Sequence, residues 1–129
     1  MGAGAQLARG AAVRLTFGIS ALVEPEATSR LLGVPRRQIN RSGSYALRLF
    51  AARDVILGLA TAAAGNGSRA AQRRAIVANL GAEAADTAAL LLEARERGGL
   101  VGETLAGALF NLAGYATWLA AARALRSGR

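Results

Sequence analysis

The chain has 129 residues, enough for one domain, of which 53% are hydrophobic and only 19% charged, and its mean hydropathy is +0.28. Histidine and cysteine are absent, which excludes Ser/His/Asp and Cys/His triads, disulfides, thiolate metal sites and the usual zinc sites. The net charge of +8 is carried by arginine without lysine, and those arginines stand near segment ends rather than along one helical face, so no nucleic-acid partner is expected.

A first helix is predicted over residues 5–23. Gly10, Arg14, Gly18 and Ala21 recur on one face, where a neighbouring helix could approach closely. A secretory signal is the rival reading of Arg9, Arg14 and the apolar run 15–23, but that run is short and Glu24-Pro25-Glu26 interrupts the cleavage pattern. Pro25 can open a short helix, with Glu26 near its N-terminus and Gly33 ending it before Pro35. This connector is expected at a membrane interface, with Leu31 and Leu32 dipping inward.

The second helix is expected over residues 43–64, whose length of about 33 Å matches a hydrocarbon core of ~30 Å. At its centre lies the stretch on which the chain turns, Arg48 to Gly58, with Arg48, Arg53 and Asp54 in an apolar setting. Unpaired, three charges at mid-span would cost roughly 8–10 kcal/mol, so they need partners inside the protein or a place near the interface. Asp54 shares its face with Leu47, Ala51, Gly58 and Thr61; Arg53 and Asp54, as helix neighbours, point to different partners.

Gly65-Asn66-Gly67-Ser68 marks a turn. The third helix, over 71–95, gathers Gln72, Asn79, Glu83, Asp86 and Glu93 in one narrow angular band. The fourth, over 103–125, is uncharged from Thr104 to Ala122, the length of a membrane span. Asn111 and Tyr115 are one turn apart on it, with Gly107, Gly114 and Trp118 near the same face; Trp118 is read as an interfacial residue or an apolar wall. The basic tail Arg123, Arg126 and Arg129 is expected to be mobile. The resulting fold class is all-α: a four-helix up-and-down transmembrane bundle, residues 1–129 in one domain, with a short interfacial helix after helix one.

Both termini then share one side, which carries seven arginines against six on the other, a balance that leans the termini towards the cytoplasm of a multi-pass protein of the cell membrane. Glu24-Pro25, the Gly33-Val34-Pro35 turn, Arg53-Asp54 followed by Gly58, and the inward carboxylates of helix three resemble the small four-helix bacterial integral membrane proteins of the DoxX-like group. That resemblance implies a four-span inner-membrane protein and brings no agreed activity.

An interior polar cluster is expected from Arg48, Arg53, Asp54, Glu83 and Asp86, with Arg14, Asn79, Asn111 and Tyr115 as further members. The ligand-binding candidates are Arg48, Arg53, Asp54, Asn79, Glu83, Asp86, Asn111 and Tyr115. Asp54, Glu83 and Asp86 are the candidates for acid/base catalysis by a membrane enzyme. The competing account of each is structural: ion pairs locking helix two on helix three, and Asn111 bonding across helices. No catalytic metal or other cofactor is expected, since a di-iron site would need histidines and carboxylates from four helices. The expected role is to bind a small lipophilic molecule or to serve as an accessory subunit beside another membrane protein. A soluble helical interaction module is the third reading.

Overall fold

The computed structural model describes residues 1–100 and 102–128, the side chain of Glu103 apart; Arg129 of the expected tail lies outside them. The described residues are all helical or irregular, with no strand among them. Helix α1 runs over Ala3–Val23, α2 over Pro25–Leu31, α3 over Arg41–Gly65, α4 over Arg69–Arg97 and α5 over Glu103–Arg126, with a single 3₁₀ turn at Arg36–Gln38.

The local chemistry sets these ends. Pro25 occupies the first turn of α2 with Glu26 beside it, where a missing N–H costs nothing and a negative charge meets the positive end of the helix. Gly33, at φ 86°, closes that helix: its N–H donates to the Arg30 carbonyl and that of Val34 to the Ser29 carbonyl, each at 3.0 Å. Gly98 and Gly99 close α4 in the same way, on the carbonyls of Arg95 and Ala94. Asn40 and Ser68 cap α3 and α4, accepting from the N–H groups of Gly43 and Ala71. These caps start both helices two residues earlier than apolar periodicity predicts. Helix α5 continues through Arg123 and Arg126, so those two arginines are helical rather than part of a loose tail. Their charges face the negative end of the helix dipole. Leu31 does not dip inward: at 88% exposure it is among the most exposed side chains, while Leu32 is half-buried.

The four long helices run antiparallel to their sequence neighbours, as short connections require. Gly4 faces Gly65 while Gly18 faces Ala51 and Val55 across α1 and α3; Gly10 meets Trp118 while Phe17 meets Phe110 across α1 and α5. Helix α4 packs on α3 and α5, and α2 lies against α1 and α3. Small residues make the α1–α3 seam: Ala11, Gly18 and Ala21 on one side, Ala51, Gly58 and Ala64 on the other, all buried. A compact apolar core of Leu7, Ile76, Trp118 and Ala121 fills the end of the assembly nearest the N-terminus.

Polarity is distributed against the soluble pattern. Arg14, Asp54, Thr61, Asn79, Glu83 and Asn111 are buried, whereas Val13, Ile19, Ile56, Leu59, Val77, Leu91, Leu92, Leu109 and Leu112 are each more than half exposed. Two helices, within Arg69–Arg97 and Thr104–Arg126, are long and apolar enough to cross a membrane, and little of either is buried. Helices α1 and α3 do not meet that measure; they carry Arg9 and Arg14, and Arg48, Arg53 and Asp54, within their apolar runs.

Candidate functional site

Each long helix contributes a polar residue close to its own midpoint, and these residues meet. Arg14 of α1 lies between two carboxylates from different helices. One guanidinium nitrogen bonds Asp54 Oδ1 of α3, and the other donates to Glu83 Oε1 of α4 at 2.6 Å. All three side chains are at least nine-tenths buried. Helix α5 completes the shell around Glu83: the Trp118 indole N–H donates to Oε1 at 3.0 Å, and Asn111 Nδ2 donates to Oε2 at 3.0 Å and to the Glu83 carbonyl at 3.1 Å. The Arg14 guanidinium also stands 5.5 Å from the centre of the Trp118 ring, within cation–π range.

A second pair lies at the edge of the first. Arg53 donates through both terminal nitrogens to Asp86, at 2.7 and 2.8 Å, in the fork geometry that suits a carboxylate. One of those nitrogens also reaches Asp54 Oδ1 at 3.5 Å, which joins the two groups into one network. Arg53 lies over the Phe50 ring, 4.3 Å from its centre, and its side chain is 35% exposed. Two arginines and three carboxylates leave the network one formal negative charge in excess. Asp54 Oδ2 and the Nε atoms of Arg14 and Arg53 are buried with no hydrogen-bond partner among the described residues.

The close approach depends on a glycine. A Cβ on Gly114 would stand 2.5 to 2.7 Å from the Glu83 carboxyl group, so only the absence of a side chain lets α5 bring Asn111 and Trp118 around Glu83.

Of the expected members, the structure brings together Arg53, Asp54, Glu83, Asp86 and Asn111. Tyr115 is peripheral, its hydroxyl 3.3 Å from Thr87 Oγ1, itself 2.8 Å from Asn111 Oδ1. Asn79 is fully buried but apart, donating to Thr61 Oγ1 and the Ala75 carbonyl, each at 2.8 Å. Arg48 does not belong. It is exposed, and its Nε donates to the Leu22 carbonyl at 3.1 Å, near the C-terminal end of α1. The reason is rotational: Arg48 is turned about 120° from Asp54 around α3, so its long side chain leaves the buried face and reaches the Leu22 carbonyl and water. Arg53 and Asp54 do touch, at the long distance given above, although their main partners lie on α4 and α1.

Two residues carry more of the site than sequence reasoning assigns them. Arg14 is the hub rather than an optional member, and Trp118 is a buried donor to Glu83 rather than an interfacial wall. Both signals were present: Arg14 falls on the glycine face of α1, and Asn111, Gly114 and Trp118 recur on one face of α5.

No described groove is lined by Arg14, Asp54 or Glu83; the largest lies at the end of α4 and α5 instead. The cluster's charged groups are turned on one another. No protein-family model, curated protein or solved structure matches the chain.

Proposed function

We propose that this chain is a small integral membrane protein whose α1, α3, α4 and α5 span the bilayer as a four-helix bundle, with α2 at the interface. The observation that carries this reading is the inverted polarity: large aliphatic side chains outside, and arginine, carboxylate and amide groups within. In water that arrangement would expose an extensive apolar surface and strip charges of solvent for no return. In lipid it is the favourable one, because the charges of α3 and α4 are paired with one another and with Arg14, to within one formal negative charge, instead of facing hydrocarbon. The spans of α4 and α5 are supported by their own length and apolarity; those of α1 and α3 rest on their packing around the shared cluster. The outline shared with the DoxX-like proteins belongs to the same proposal.

Within that frame the cluster is a lock between helices and the protein is a binding or accessory subunit rather than an enzyme. A catalytic carboxylate must meet a substrate, and Glu83 is surrounded by Arg14, Asn111 and Trp118. A small lipophilic molecule has a more suitable seat in an open apolar cleft between α1 and α2, of about 490 Å³, lined by Phe17, Leu32 and Phe110 and bearing Thr16, Ser20 and Thr28. Membranes from expressing cells, pelleted and washed with alkaline carbonate, test the first part: the protein stays in the pellet. Release into the wash overturns the spanning reading.

A further inference from the structure

Among the described grooves the largest is at the opposite end from α2. It measures about 1060 Å³ and lies between the first turns of α4 and the last turns of α5, with Arg69, Arg73, Arg74 and Arg126 around walls that include Val77 and Leu125. Arg73, Arg74 and Arg126 are exposed and make no ion pair with any described residue, while Arg69 donates to the Leu125 carbonyl at the end of α5. Among the described residues the carboxylate side chains lie at mid-helix, at Asp54, Glu83 and Asp86, or towards the other end, at Glu24, Glu26, Glu93 and Glu96. Among the described residues the end bearing the groove therefore carries arginines and no carboxylate side chain, while the positive pole of α4 and the negative pole of α5 meet there and offset each other.

An apolar trough leading to unpaired guanidinium groups matches one kind of molecule, an amphiphile with a phosphate head and acyl chains. We infer that this groove holds an anionic phospholipid of the surrounding bilayer, its phosphate on Arg73, Arg74 and Arg126 and its chains along Val77 and Leu125. The inference rests on the spanning reading and adds to it the class of lipid bound and the place of binding. Basic pockets at the ends of membrane helices attract such headgroups, each arginine adding to the attraction, and a guanidinium matches phosphate with two parallel donors.

The test uses the full chain, purified in a zwitterionic detergent and offered phosphatidylglycerol or phosphatidylcholine, with bound lipid read by native mass spectrometry. Phosphatidylglycerol is expected to bind preferentially. The triple variant Arg73→Gln/Arg74→Gln/Arg126→Gln is expected to bind it on the order of a hundredfold more weakly, and Arg36→Gln/Arg37→Gln at the other end leaves binding unchanged. Equal binding of the two lipids, or a triple variant that keeps the preference, overturns the inference. So does displacement of the lipid by inorganic pyrophosphate, which would mark a site for soluble phosphate anions. The same preparation, reconstituted and washed with alkaline carbonate, separates the two levels. Retention without lipid preference removes the inference alone, whereas release removes the spanning reading beneath it.

Discussion

Arg14 shows how one side chain can organise a helical interior. Its planar fork reaches carboxylates on two helices while its face lies near Trp118 on a third, a geometry a lysine ammonium could not reproduce. Removing it leaves Asp54 and Glu83 buried beside each other without their cation. Arg14→Met is therefore expected to lower stability by about 3–5 kcal/mol, the cost of breaking a buried ion pair from one side, measured as thermal unfolding in detergent. Arg48→Ala, at an exposed position bonded only to a backbone carbonyl, is expected to stay within about 0.5 kcal/mol of the parent. Equal effects of the two substitutions would remove Arg14 from the centre of the account. Asp54→Asn and Glu83→Gln keep shape while removing charge, so a loss of folding in both supports a structural lock. A folded Asp54→Asn protein that loses a measurable activity would instead favour chemistry at that carboxylate.

Packing between elements is governed by the positions that lack a side chain. Gly114 and Gly81 are both helical glycines, but a Cβ at Gly114 collides with the carboxyl of Glu83, whereas one at Gly81 meets nothing within 4 Å. Glu83 cannot simply swing away, because Arg14, Asn111 and Trp118 all hold it. Gly114→Ala is expected to destabilise by about 1–3 kcal/mol through overpacking. Gly81→Ala is expected to stabilise α4 by up to about 1 kcal/mol through helix propensity. A pair of melting curves decides this; the same sign for both would refute the close approach of α5 to Glu83.

For the molecule as a whole, the arrangement predicts sidedness. The turn after α3 and the end of α5 lie together, as the Arg69 bond to the Leu125 carbonyl shows, while the start of α3 lies at the other end. The native chain has no cysteine, so single cysteines report without background. In sealed vesicles an impermeant maleimide is expected to label Asn66→Cys and Ser127→Cys from one side and Ser42→Cys from the other. Labelling of Asn66→Cys and Ser42→Cys from the same side would be incompatible with a spanning α3. The arginine balance between the two ends is nearly even, so on the spanning reading this experiment, rather than charge counting, assigns which end faces the cytoplasm.

Much of this was legible in the linear chain. Helix periodicity, the Pro25 and Gly33 signals and the glycine-rich turn at 65–67 placed the helices within a few residues, because those effects act over one or two turns. The buried faces of α1 and α3 could also be read, since Gly10, Arg14, Gly18 and Ala21, and Ala51, Asp54, Gly58 and Thr61, recur at helical spacing. Which residues pair could not be read that way. Arg14 and Glu83 are 69 positions apart, and Glu83 and Trp118 are 35 apart. Contacts at such separations depend on the rotation of each helix about its axis and on the depth at which two helices cross, and neither is encoded locally. The tertiary structure alone therefore turned Arg48 out to solvent, brought Trp118 in as a donor, and made Arg14 the residue on which the interior charges converge.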